Sequence, residues 1–101
     1  MAKVYTNSVQ QKEDSVIVTE MDFRIYPNPN YGEFNLVCSR KLAENGEITL
    51  YDIEGRQIFQ ILAESGKTIY KINATNLPQG IYILRLVAGK TLYTNKVIIQ
   101  N

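Results

Sequence analysis

Few residues in this chain carry side chains suited to catalysis. The sequence has 101 residues, one cysteine and no histidine, which removes the most common general base and metal ligand. Cys38 occupies the same phase of an alternating segment as Phe34 and Leu36. This pattern predicts a buried, inert thiol, and no histidine is available to activate it.

Carboxylates offer a second route to catalysis, through pairs that act as general acid and base. Asp52 and Glu54 are close in sequence, but they flank a predicted hairpin turn, where acidic residues are common for backbone reasons. The six glycines are scattered and form no phosphate-binding loop, and no set of ligands has the spacing of a metal site. The sequence therefore predicts no catalytic, cofactor-binding or metal-binding residues, and a hydrolytic enzyme is a remote alternative.

Length and composition limit the chain to one modest domain. Hydrophobic residues make up 45% of it, which is ordinary for a folded protein, and the net charge of +1 gives no reason to expect a nucleic acid as partner. A single cysteine excludes an intrachain disulfide, so stability must come from packing. No apolar stretch approaches the roughly 20 residues of a membrane-spanning helix, and the first residues lack the apolar core of a signal peptide.

Residues 1–22 and residues 23–101 are expected to differ in organisation. Residues 1–15 are polar and show neither strand nor helix periodicity, which indicates a linker, and residues 16–18 begin the β-rich pattern. From residue 23 onward, short runs of β-branched and aromatic residues alternate with polar residues, as in half-buried strands. These runs cover residues 23–26, 33–38, 47–51, 58–62, 68–73, 81–86 and 92–99.

Turn residues separate the predicted strands. Asn45-Gly46 suits a type I′ hairpin turn, which needs positive φ at both central residues. The segment from Asp52 to Gly55 suits a type I turn closed by a left-handed glycine, and Gly66 and Gly89 mark two further turns. Turns recur every ~8–12 residues, which is typical of a sandwich of about seven strands. We therefore predict an all-β, immunoglobulin-like antiparallel β-sandwich with Greek-key topology.

A corner motif precedes the most apolar strand. Leu77-Pro78-Gln79-Gly80-Ile81-Tyr82 places a tyrosine just after a proline and a glycine. Greek-key sandwiches often carry a tyrosine at such a corner, and its hydroxyl bonds back to the corner backbone. We expect this bond for Tyr82 and expect Leu77 to close one end of the core; the alternative is that Tyr82 is an ordinary strand aromatic.

The seven tyrosines suggest an alternative function. A face of tyrosines can stack on sugars, so an immunoglobulin-like carbohydrate-binding or adhesin module is the second hypothesis, with Tyr51 and Tyr93 as its candidates. Most of the tyrosines fall within strand runs, however, where sheet propensity and cross-strand packing account for them.

The order of the motifs along the chain resembles a known family. Tyr26-Pro27-Asn28-Pro29 comes first, Tyr51-Asp52 with Gly55 follows, the corner of residues 77–82 is third, and Lys96-Val97-Ile98-Ile99 closes the series. This series is similar to the type A C-terminal sorting domain of the type IX secretion system of Bacteroidetes, over roughly residues 23–100. The recognition candidates that the resemblance gives are Pro27, Asn28, Pro29, Gly55, Gly80, Tyr82, Lys96, Val97, Ile98 and Ile99.

The resemblance implies a folded secretion signal rather than an enzyme. Cargo joined upstream of such a domain reaches the periplasm by its own signal peptide, expected on a longer precursor. The domain then directs it, with shuttle proteins, through the outer-membrane translocon to the cell surface or outside. A sortase-like protease is expected to remove the domain, and residues 1–22 would be the tether and the cleavage region.

The terminal strand is the physical candidate for recognition. If residues 92–99 lie at a sheet edge, a partner could read them by adding a strand, and the same edge would permit a strand-mediated homodimer. Lys96 on an apolar strand equally suits protection of an edge against aggregation. The rigid Pro27-Asn28-Pro29 turn suits a fixed exposed shape, or merely the end of a strand.

Overall fold

The computed structural model describes residues 21–101, and these form seven strands and no helix. The predicted strand start at residues 16–18 lies outside the described residues. The strands are β1 (Phe23–Tyr26), β2 (Glu33–Cys38), β3 (Gly46–Asp52), β4 (Gln57–Ala63), β5 (Ile69–Asn73), β6 (Gly80–Ala88) and β7 (Thr91–Ile99).

The strands form two antiparallel sheets that pack as a sandwich. One sheet has the order β1-β2-β5, and the other has the order β4-β3-β6-β7. The chain crosses between the sheets after β2, β4 and β5, so that β3 pairs with both β4 and β6. This is the Greek-key, immunoglobulin-like arrangement that the sequence predicted. It leaves β7 at the edge of the larger sheet, which is the condition on which strand addition to β7 depends.

Alternation along the strands defines the core between the sheets. Phe34, Leu36 and Cys38 of β2 are buried, whereas the residues between them are only partly so. Leu84 and Leu86 of β6 are fully buried on the opposing sheet. Each fully buried leucine contributes about 1.5–3 kcal/mol to folding. A shift of one residue would turn these side chains toward solvent and lose that contribution, so the period-2 pattern determines which face of a strand points inward.

One predicted turn is wrong. Asn45-Gly46 does not join a hairpin, because β2 and β3 lie in different sheets, and Gly46 is not among the glycines with positive φ. Gly46 is instead the first residue of β3, where a Cβ would overlap the backbone of β6 at Val87 and Ala88. The glycine is needed for close approach of two strands, a requirement that the local dipeptide does not reveal.

The other turn glycines behave as predicted. Gly55 has φ +88° in the β3–β4 hairpin, Gly66 has φ +86° between β4 and β5, and Gly89 has φ +61° in the β6–β7 hairpin. These values lie in the left-handed region, which glycine enters without a steric cost. Within residues 21–101, no helix is long and apolar enough to cross a membrane.

Candidate functional site

Strand pairing brings the corner, the acidic hairpin and the terminal strand to one end of the larger sheet. Tyr82 pairs with Asp52 of β3 on one side and with Val97 of β7 on the other. Gly80 pairs with Ile99, and Gly55 closes the hairpin that directly follows Asp52. Residues that are up to 47 positions apart in the chain therefore share one end of the sandwich, which we call the motif end.

Residues 27–30, which we call the clasp loop, close over the free edge of β7 at this end. The Asn28 amide nitrogen donates to the Lys96 carbonyl at 2.9 Å, and its oxygen accepts from the Ile98 amide at 2.9 Å. The Asn28 side chain thus satisfies two backbone groups of β7, as a neighbouring strand would. Pro27 and Pro29 flank this asparagine, and both of their preceding peptide bonds are cis.

The main chain of Asn30 continues the same contact. Its amide donates to the Ile98 carbonyl at 2.9 Å, and its carbonyl accepts from the Gln100 amide at 2.7 Å, which forms a parallel bridge beside Ile99. The structure therefore brings the candidates of the first block, at residues 27–29, against those of the last block, at residues 96–99. Because the two blocks lie far apart in the chain, the sequence alone does not indicate that they are in contact.

The side chain of Asn30 supports the clasp loop from inside, and the sequence did not single it out. It is only 2% exposed; its nitrogen donates to the Pro27 carbonyl at 3.0 Å and its oxygen accepts from the Gly32 amide at 2.8 Å. Both polar atoms of the side chain have hydrogen-bond partners, so its burial leaves no polar group unpaired. An asparagine that follows a proline is typical of a turn, so the sequence did not indicate that Asn30 is buried.

Asp52 and Glu54 serve the hairpin rather than an acid–base pair. One Asp52 oxygen accepts from the backbone amides of Glu54 and Arg56, each at 2.9 Å, and the other accepts from the Arg56 side chain at 2.7 Å. These donors, with the Arg56 backbone amide foremost, lower the pKa of Asp52. Glu54 pairs with the same guanidinium at 3.0 Å. The carboxylates therefore order the turn, as the sequence predicted.

The tyrosine corner is confirmed. The Tyr82 hydroxyl donates to the Pro78 carbonyl at 2.7 Å, and the ring is 7% exposed. Leu77 packs against the core from the same corner. The bond closes the chain back on itself just before β6 begins to pair with both of its neighbours, so it helps to fix the motif end.

Replacing Tyr82 with phenylalanine should lower the free energy of unfolding by about 1–2 kcal/mol, because the Pro78 carbonyl loses its donor while the ring stays packed. Urea denaturation of the purified domain measures this loss. Tyr31→Phe is the matched control, since Tyr31 is 73% exposed and should change stability by less than about 0.5 kcal/mol. Equal stability of Tyr82→Phe and the unchanged domain would show that the corner bond contributes nothing.

The other residues considered for catalysis or ligand binding, Cys38, Tyr51 and Tyr93, do not form a common site. Cys38 is buried as predicted, and burial raises the pKa of its thiol, which keeps it protonated and unreactive. Tyr93 lies on the core side of β7 and stacks on Phe23 with ring centroids 4.8 Å apart, whereas Tyr51 follows the buried Leu50 and lies on the opposite face of the sheet. These two tyrosines therefore do not form one sugar-stacking platform. No group of three or more potential metal ligands is found within residues 21–101.

Fold and site together define a small β-sandwich whose sequence motifs converge at one end, without a cluster of catalytic groups among the described residues. A family model described as a secretion system C-terminal sorting domain matches residues 24–100. The chain belongs to this family, the C-terminal sorting domains of type IX secretion, which are non-catalytic secretion signals. Membership implies interaction with the type IX machinery and export to the cell surface or the extracellular space. A comparison with curated proteins finds no match.

Proposed function

We propose that residues 23–101 are the folded sorting signal of a larger secreted protein, and that they direct this cargo through the type IX outer-membrane translocon. The observation that carries the proposal is the family match over residues 24–100. Its support in the fold is that the motif blocks meet at one end, where hydrogen bonds tie the clasp loop to β7. A signal built in this way presents one fixed surface whatever cargo precedes it.

The path of the cargo follows from this role. A signal peptide on the precursor brings the protein to the periplasm, shuttle proteins and the translocon recognise the sorting domain, and a sortase-like protease then removes it. Residues 1–22 are the tether between cargo and domain and contain the cleavage region. The recognition candidates Pro27, Asn28, Pro29, Gly55, Gly80, Tyr82, Lys96, Val97, Ile98 and Ile99 supply the surface or hold its shape.

Fusion of residues 23–101 to a periplasmic reporter, in a bacterium with a type IX system, tests the proposal. The fusion should place the reporter on the surface or in the medium, and the reporter without the domain should stay in the periplasm. Removal of residues 96–101 should strand the fusion in the periplasm, since it removes Val97 and Ile99 from the core and the partner strand of the clasp loop. Surface delivery of the truncated fusion at the same level as the intact one would refute the proposal.

Lys96→Glu is a second variant that leaves the core intact. Lys96 is exposed and belongs to the motif end, whereas Lys90 is exposed in the turn at the opposite end of β7. We expect Lys96→Glu to reduce export of the reporter and Lys90→Glu to leave it unchanged. Equal export of both variants would show that Lys96 is not part of the recognised surface. The family assignment would be unaffected, because it rests on the match over residues 24–100.

A further inference from the structure

The free edge of β7 is divided into two halves. In an antiparallel edge strand, alternate residues direct their amide and carbonyl toward the neighbour, and the others direct theirs outward. The clasp loop bonds the Lys96 carbonyl, both backbone groups of Ile98 and the Gln100 amide, which identifies the even-numbered residues as outward-facing. The C-terminal half of the edge is therefore already occupied, and no partner strand can add there while the clasp loop is in place.

Within residues 21–101, nothing pairs with the outer side of the other half, residues 91–95, which we call the open edge. By the same alternation, Leu92 and Thr94 direct their amides and carbonyls outward, and no described residue bonds these groups. The open edge ends at Lys96, whose amide is bonded by the Asn95 side chain at 2.8 Å. Four backbone groups are thus left in a row with the spacing of a strand.

The open edge lacks the usual protection of a sheet edge. Natural edges are blunted by charges, bulges, prolines or short length. Among the other edge strands of the described residues, β1 has four residues and carries Arg24, β5 carries Lys71, and β4 has a register break opposite Leu50 and Tyr51. Residues 91–95 contain no charge and no proline, and their pairing with β6 has no break.

Apolar side chains flank the open edge on both faces of the sheet. On the outer face, Leu92 is 61% exposed and pairs with Val87, itself 39% exposed. On the core side, the stacked rings of Phe23 and Tyr93 lie at the margin of the sandwich. A strand added here would therefore place alternate side chains against an apolar neighbour on each face, which is how strand addition gains specificity.

We propose that the open edge is the site at which an extended segment of the type IX machinery adds as a fifth strand to the larger sheet; this rests on the proposed function. The segment has about five uncharged residues that alternate with the pleat. At the end of the segment that is nearer to the clasp loop, an acidic side chain pairs with the side chain of Lys96, the one charged residue of β7. The clasp loop sets the register, because it blocks the edge from Lys96 onward.

Thr94→Pro tests the site with little change to the domain itself. Proline removes the outward amide of residue 94 and no bond to β6, and an edge strand tolerates proline at such a position. Thr94→Val is the matched control, because it keeps the amide and nearly the same shape. In the reporter fusion, we expect Thr94→Pro to reduce export at least tenfold and Thr94→Val to leave it near the level of the unchanged fusion.

The outcomes separate this inference from the function on which it rests. Failure of the unchanged fusion to reach the surface would contradict the proposed function. Export of the unchanged fusion and of Thr94→Pro at equal levels would overturn the inference alone. Thermal unfolding of both purified variants shows whether Thr94→Pro is folded.

A photo-crosslinking measurement does not depend on the folding of the proline variant. Benzoylphenylalanine is placed at position 94 of the fusion in cells, and at position 71 on the edge strand β5 as control. We expect an adduct with another protein of the secretion machinery at position 94 and none at position 71. An adduct only with residues 1–20 of the same chain, an adduct with a second copy of the chain, or no adduct at position 94 would overturn the proposal.

Discussion

Replacing Gly46 with asparagine is expected to lower the free energy of unfolding by roughly 3 kcal/mol. A Cβ at this position would overlap the Val87 carbonyl oxygen and lie 2.8 Å from the Cα of Ala88. Both contacts are with the backbone of β6, which pairs with β3 along its length. Rotamer changes cannot relieve such a clash, so the two central strands must separate locally. Urea denaturation of the purified variant measures the loss.

Gly55→Asn is the matched control for this substitution. Gly55 has φ +88°, and an added Cβ there meets no atom within 4 Å. Asparagine enters the left-handed region more readily than other residues, so the control should lose less than about 1 kcal/mol. If Gly46 were a type I′ hairpin glycine, as Asn45-Gly46 indicates by sequence, asparagine would be tolerated there too. Equal small losses at both positions would contradict the close-packing explanation.

The contrast between these two glycines shows how far the sequence predicts this fold. Gly55 was predicted correctly because its requirement is local: the turn after Asp52 needs positive φ. The strand faces were also predictable, because the buried phase of Phe34 and Leu36 repeats every second residue. Gly46 was misread because its requirement arises from a strand about 40 residues away, and a dipeptide carries no information on such contacts.

In the candidate site, too, the sequence predicts contacts between residues that are close in the chain but not contacts between distant ones. Tyr82 could be predicted because the corner and its bond lie within four residues of each other. The bonds of Asn28 to β7 span 68 and 70 positions, and nothing in Pro27-Asn28-Pro29 indicates where its donors and acceptors point. The sequence predicts a terminal strand at residues 92–99 but leaves its position in the sheet open, because strand order depends on long-range pairing. The division of its edge could not be predicted either, because it depends on the clasp loop.

Replacing Asn30 with alanine is expected to lower the free energy of unfolding by about 2–3 kcal/mol. The side chain is 2% exposed, and its loss leaves the Pro27 carbonyl and the Gly32 amide without their partners. The clasp loop should then leave the edge of β7 more often. The amides of Ile98 and Gln100 should exchange with solvent at least about tenfold faster, because the clasp loop supplies their bonds.

Asn28→Ala separates the buried support of the clasp loop from its exposed bonds. It removes the two side-chain bonds to β7 but leaves Asn30 packed, so we expect faster exchange at Ile98 with a global loss below about 1 kcal/mol. If Asn30→Ala left both stability and the Gln100 exchange unchanged, the clasp loop would not depend on this side chain. Because the clasp loop both covers residues 96–100 and leaves residues 91–95 free, the two variants should differ in reporter export as well: Asn30→Ala, which loosens the whole loop, should lower it more than Asn28→Ala.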